Sequence, residues 1–211
     1  MTQPKLTVAI CMHNSCQNVC EIVDELYHQE EPWLEVIVLN DASTEDTKPV
    51  EDLCNKRHFR YITTEKNLGE AGARQRVLDE ANGEYFAWVD ADDFITASYI
   101  DTIHSEIMLY EPDIIFHKWK FVDGHIANDH DKPLTNWNVW ANVYRREAVK
   151  DVKFDLDRQI ASDYFWLVEA FPKCNNVIYS DKIVNIYNDK NPDSLTHRFE
   201  RGEVTARFSE E

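Results

Sequence analysis

Apolar residues along the chain fall in short dense runs, separated by stretches where they recur every three or four positions. The first run, Leu6 to Cys11 (LTVAIC), is β-rich and stops at His13-Asn14-Ser15, a group that can cap a helix. Val19, Ile22, Val23, Leu26 and Tyr27 follow at helical spacing until Glu31-Pro32 breaks the pattern. Glu35 to Leu39 is a second run, ending at Asn40-Asp41-Ala42-Ser43, and Val50, Leu53 and Cys54 then share one face of a second helix. Phe59 to Thr63 reads as a third strand. The loop Asn67-Leu68-Gly69 leads into a third helix marked by Ala73, Val77, Leu78 and Ala81 and closed by Asn82-Gly83. A fourth strand, Tyr85 to Val89, ends in Asp90-Ala91-Asp92-Asp93.

Strands alternating three times with helices of this length imply an α/β fold, with a mostly parallel sheet flanked by helices. In such sheets ligands bind beyond the carboxyl ends of the strands. That edge carries His13-Asn14, Asn40-Asp41 and the aspartates 90 to 93. The second half is less regular. It holds a helix from about Thr96 to Tyr110, a strand Asp113 to His117 and a hairpin near Asp123-Gly124. A polar stretch from His125 to Asn138 suits a mobile surface loop; an apolar segment, Val139 to Tyr144, and a helix near Ser162 to Phe171 follow. Without internal repeats or a low-complexity linker, residues 1–211 read as one domain, with halves of about 1–95 and 96–211.

The acidic strand end poses a chemical question. Residues i and i+2 of a strand point to the same side, so Asp90 and Asp92 can face one ligand, and the following loop can turn Asp93 inward. Crowded carboxylates repel one another, so a positive partner is expected. Hard oxygen ligands suit Mg²⁺ or Mn²⁺, which keep several waters and accept phosphate oxygens.

Composition narrows the classes. Hydrophobic residues at 43% and charged residues at 29% give a globular composition. The net charge of −17 argues against a surface that coats nucleic acid or an anionic membrane. Arg57, His58, Arg60, Lys66, Arg74 and Arg76 leave open a local basic groove. No run approaches a membrane span and no signal peptide precedes the first strand, so the expected location is cytoplasmic, with peripheral membrane attachment as the variant. Five cysteines without framework spacing read as reduced thiols, and Cys11, Cys16 and Cys20 lack the spacing of a metal cluster.

The ordered set TVAICMHN, EVIVLNDASTED, NLGEAGARQ and GEYFAWVDADDF, continued by WNVWANVYRREAVKDVKFD, ASDYFWLVEAF and YNDKNPDSLTHR, resembles family 2 glycosyltransferases of the GT-A fold over roughly residues 5–198. The resemblance implies that Met12, His13 and Asn14 lie against a nucleotide base, with His13 where an aromatic residue often sits by uracil. It implies that Asp41 accepts from the base and that Arg74 stands near the base or diphosphate. Asp90, with Ala91 beside it, would meet the nucleotide sugar. Asp92 and Asp93 would compete for the metal, with His197 as a late metal or diphosphate contact. Asp163 matches the catalytic base, while Ser162 stands where the family often has a second acid and Ala42 where Gly is common.

The implied activity is transfer of one sugar, with inversion, from a nucleotide sugar (a UDP-sugar first) to a hydroxyl on a glycan, lipid-linked sugar or other acceptor, with Mn²⁺ or Mg²⁺. The QxxRW signature of processive synthases is absent. Two alternatives stay open: the same chemistry on a modified base in phage DNA, and a non-catalytic nucleotide-sugar or glycan-binding module. Trp137 and Trp140 could wall a sugar site, though packing is the simpler role for such aromatics.

Overall fold

A computed structural model describes residues 5–29, 31–127, 138–158, 161–192 and 194–203. The first half follows the hydrophobic pattern closely. Strands β1 (Leu6–Met12), β2 (Leu34–Asn40), β3 (Arg60–Thr63) and β4 (Tyr85–Asp90) alternate with helices α1 (Cys16–His28), α2 (Lys48–Arg57) and α3 (Gly69–Glu80). The four strands are parallel in the order β3-β2-β1-β4. β1 and β4 lie side by side with Cys11 opposite Asp90, so the chain leaves them in different directions at one edge. A crevice opens at such a switch point.

The period-2 alternation of side chains explains the layering. Val8, Ile10, Met12, Val36 and Val38 pack on one face with Val19, Ile22 and Leu26 of α1 and Val50 and Cys54 of α2. Ala9, Ile37, Leu39, Phe86 and Trp88 pack on the other with Ala73 and Val77 of α3. Covered on both faces, these strands read as continuous apolar runs.

The second half extends the same sheet. β5 (Phe94–Ile95), α4 (Tyr99–Tyr110), β6 (Ile114–Phe121), β7 (Ile126–Ala127), β8 (Asn142–Arg145), α5 (Ser162–Ala170), β9 (Val177–Tyr187) and α6 (Leu195–Glu200) follow in chain order. β8 is antiparallel to both β4 and β6, β9 is parallel to β6, and β7 makes the expected hairpin with β6. The eleven-residue β9 escapes the sequence pattern because Ser180-Asp181-Lys182 interrupts it. The structure absorbs those residues as an irregularity: His117 pairs with Ser180 but Lys118 with Ile183, and Asp181 is thrown out to solvent. Trp140 stacks on Tyr187 (centroids 5.4 Å apart) and is buried, a packing role. Trp137, and most of the 125–138 loop with it, lies outside the described residues.

Gly83 sits where α3 returns to β4. Its N–H donates to Thr7 Oγ1 at 2.9 Å, and a Cβ there would stand 2.5 Å from both Thr7 N and Tyr85 O. Backbone atoms on both sides cannot yield without opening the β1–β4 ladder. Gly83→Ala should therefore lower stability by about 2 kcal/mol, read as a drop in the urea or thermal midpoint; an unchanged midpoint would refute this close approach.

Candidate functional site

Two loops at the carboxyl ends of β1 and β2 are locked together. Asn14 Oδ1 accepts the Thr44 N–H at 2.8 Å, and the Asn14 N–H donates to Ser43 Oγ at 3.0 Å. Asn14 and Ala42 both take left-handed backbone angles, φ +56° and +51°. Asn tolerates that region, whereas Ala42 pays roughly 1 kcal/mol for a turn that Gly would make without strain. The start of α1 is capped from across the loop, by Glu45 Oε1 on the Cys16 N–H at 2.7 Å; Ser15 donates instead to the His13 carbonyl.

His13 Nδ1 lies 2.8 Å from the Asp41 carbonyl and Nε2 3.2 Å from Asn14 Nδ2. His13 and Asn14 are exposed and form a ledge over the crevice. Met12 is different: its side chain is buried in the core, so it carries the ledge and offers no side-chain contact to a ligand.

Asp41 is buried, and its carboxylate is already engaged. Oδ1 accepts from Thr64 Oγ1 (2.9 Å) and the Leu68 N–H (2.9 Å), and Oδ2 from the N–H groups of Leu68 and Gly69 (both 3.0 Å). A negative group at the first turn of α3 also suits the helix dipole. Asp41, expected to accept from a base, also organises the loop that opens α3.

The acidic stretch divides by burial. Asp93 is buried and turned inward, where Oδ1 accepts the Asn188 N–H at 2.8 Å and Oδ2 meets no donor among the described residues. Burial, and then the charge of Asp90, push its carboxyl well above the ordinary range. Asn18 of α1 donates to the carbonyls of Ala91 (2.8 Å) and Asp93 (3.0 Å), and Ala91 itself is buried. Asp90 and Asp92 keep partial exposure toward the crevice. Asp92 Oδ2 accepts from Asn191 Nδ2 at 2.8 Å, and the Asn191 carbonyl lies 2.8 Å from His197 Nδ1. With Nδ1 donating to that carbonyl, Nε2 of His197 carries the lone pair. Asn191 therefore links Asp92 to His197.

Arg74 is the hub. Only 4% of its side chain is exposed, and its guanidinium pairs with Glu70 (2.9 Å), Asp90 (2.8 Å) and Asp163. Burial works against its charge, but Glu70 and Asp90 hold its pKa above the ordinary guanidinium value. Burial raises Asp90 to about 6 despite Arg74, with Asp92 and Glu70 adding to the rise. Asp163, in the first turn of α5, also receives the Val139 N–H at 3.3 Å, and Ser162 Oγ donates to Glu70 Oε2 at 2.9 Å. Asp90 and Asp163, 73 positions apart in sequence, thus share one cation. Of the remaining basic cluster, Arg57 pairs with Asp24, Arg60 with Glu35 and Glu80, and Arg76 with Glu80, while Lys66 and Arg76 line a shallow depression beside Thr64 and Leu68.

Among the described residues, no three His, Cys, Asp or Glu side chains are placed to hold a metal by themselves. A small hard cation needs fewer protein ligands, since one or two carboxylates plus phosphate oxygens and waters suffice for Mg²⁺. The oxygen-rich, net-negative mouth of the crevice fits that requirement.

Glu70, Asn18, Asn188 and Asn191 were absent from the sequence expectations. Glu70 stands four residues before Arg74 on α3, a spacing that marks an intrahelical ion pair. The asparagines carry no such signal.

A parallel half-sheet with acids gathered at its switch point, continued by a mixed half across the same sheet, is the GT-A class of fold. The Staphylococcus aureus TarS 1–349 structure in complex with UDP-GlcNAc shares it, at a TM-score of 0.81 and 22% identity over 91% of this chain and 60% of that one. A Pyrobaculum calidifontis mannosyltransferase in complex with GDP-Man and Mn²⁺ matches at a TM-score of 0.71 and 17% identity, over 96% of this chain and 62% of that one. The chain belongs to glycosyl transferase family 2, whose profile matches residues 7–171.

Among curated relatives, the poly(ribitol-phosphate) beta-N-acetylglucosaminyltransferase TarS of S. aureus (strain Mu50) is 28% identical over 84% of this chain and 34% of its own length. The uncharacterized glycosyltransferase EpsJ of Bacillus subtilis (strain 168) is 26% identical over 92% of this chain and 63% of its own. The chain spans 23% of a third, the Streptococcus pneumoniae glycosyltransferase GlyA, at 25% identity over 71% of this chain. It is thus shorter than these relatives. Among the described residues, no helix is long and apolar enough to cross a membrane.

Proposed function

We propose that the chain transfers a single sugar, with inversion, from a UDP-sugar to a hydroxyl of a glycan or lipid-linked acceptor, using Mn²⁺ or Mg²⁺. The observation that carries this reading is a charge deficit. One buried guanidinium, Arg74, serves Glu70, Asp90 and Asp163, with Asp92 close enough to raise Asp90. A diphosphate entering this crevice alone would meet net negative charge; a divalent cation removes the conflict.

Asp92 is the proposed protein ligand, oriented by Asn191, with Nε2 of His197 available to the metal or diphosphate. Asp93 is assigned to holding β9 through Asn188. Asp90 is assigned to the sugar-nucleotide, held in place by Arg74. His13 and Asn14 offer the base a flat polar ledge. When bound, the cation would offset charge on the departing diphosphate. Asp163 takes the acceptor proton as the new C–O bond forms at the anomeric carbon; the old C–O bond breaks and its electron pair leaves with the diphosphate. The family membership and the nucleotide-sugar and Mn²⁺ complexes of structural neighbours support this reading.

Incubation with Mn²⁺ and UDP-N-acetylglucosamine, UDP-glucose or UDP-galactose should release UDP, and EDTA should reduce the rate at least a hundredfold. Folded protein that releases no UDP from any donor, or does so equally well in EDTA, would count against the assignment.

A further inference from the structure

The N-terminus of α5 carries the proposed base, yet it has no side-chain cap among the described residues. Ala161 occupies the cap position, where Ser, Thr, Asp or Asn normally supplies a side-chain acceptor. It also lies in the left-handed region at φ +59°, a conformation that costs an alanine free energy and persists only where surroundings impose it. The neighbouring residue is held from α3. Ser162, buried in the first turn of α5, donates to Glu70 Oε2 at 2.9 Å across 92 positions of sequence. The other oxygen of the same carboxylate faces Arg74 at 2.9 Å, and Arg74 pairs with Asp163.

We propose that Glu70 is a positioning residue for Asp163, fixing the first turn of α5 through Ser162 and the Arg74 guanidinium through its second oxygen. One carboxylate thereby sets both the backbone that carries the base and the cation beside it. Its contacts are to Ser162 and Arg74, so it acts on the reaction through Asp163. The proposal rests on the assignment of Asp163 as base. It also gives the serine at 162, which stands where an acid is frequent, a use: its hydroxyl reaches an acid supplied by another helix.

The test measures UDP release with the UDP-sugar that turns over fastest, in Mn²⁺, and UDP affinity by calorimetry. Glu70→Ala removes both tethers and should lower kcat about 10- to 100-fold, the scale of a small misplacement of a reacting group. KM for the donor and UDP affinity should stay within about threefold. Glu70→Gln keeps both tethers, its amide oxygen accepting from Arg74 and its amide N–H donating to Ser162, so kcat should return to within about threefold of the wild type. Wild-type kcat in Glu70→Ala, or a rise in donor KM matching the fall in kcat, would overturn the proposal. Should Glu70→Ala not fold, Ser162→Ala decides by the same criteria, since it cuts one tether without changing charge. Asp163→Asn serves as the reference. If it is inactive while Glu70→Ala is fully active, positioning by Glu70 fails alone; if Asp163→Asn is itself fully active, the reading of Asp163 as base fails.

Discussion

Asp163→Asn should retain the fold and lose about 10²- to 10⁴-fold in kcat, the usual contribution of a positioned general base. The amide matches the carboxylate in shape; its single oxygen can still accept the Val139 N–H while its NH2 replaces the oxygen that faced Arg74, and Ser162 keeps its bond to Glu70, so the first turn of α5 stays in place. What disappears is the capacity to take the acceptor proton. In the proposed assignment the donor is bound on the other side of Arg74, where Asp90 and Asp92 stand, so the donor KM should move by no more than a few-fold. Single-turnover measurements of UDP release, with thermal melts as a folding control, would separate these effects. A variant that keeps a tenth or more of the wild-type kcat would exclude Asp163 as the base.

The sequence made the first half of this site legible because parallel strands buried on both faces leave dense apolar runs, and polar residues at their ends stand out against them. Asp90 and Asp92 could be placed at a strand end, and Asp163 at a helix start, from pattern and resemblance. Period-2 geometry could not say which of Asp92 and Asp93 would turn inward. That depends on Asn188, which follows β9 and binds Asp93 from 95 positions away. Asp41 was legible as a strand-end acid, but not its engagement by Thr64, Leu68 and Gly69, because those donors come together only when α3 packs against β2. β9 was hidden by an irregularity that places Asp181 and Lys182 inside a strand. Long-range pairing, rather than local propensity, decided each of these.

Arg74→Met should show the second large effect, a loss of about 3 kcal/mol of stability, or roughly 6–12 °C in melting temperature for a chain of this size. The guanidinium is nearly inaccessible, while Glu70 and Asp90 are each about one-third exposed, at 31% and 29%. Removing the cation leaves three carboxylates facing one another with only partial access to water, which places the cost at the low end for a broken buried ion pair. Methionine fills the volume, so the loss is electrostatic rather than a cavity. Arg74→Lys should recover part of it, because an ammonium restores the charge but cannot address Glu70, Asp90 and Asp163 at once. The effect should also respond to the cation proposed for the crevice. With Mn²⁺ and UDP present, positive charge returns beside Asp90 and Asp92, and the gap between Arg74→Met and wild type should narrow. The comparison requires melts of both proteins with EDTA alone, with Mn²⁺ alone and with Mn²⁺ plus UDP. A gap of the same size in all three conditions would mean that Arg74 and the metal do not share one electrostatic site. A narrowing confined to Mn²⁺ plus UDP would mean that the diphosphate completes the metal's coordination, as expected where no three side chains among the described residues can hold it by themselves.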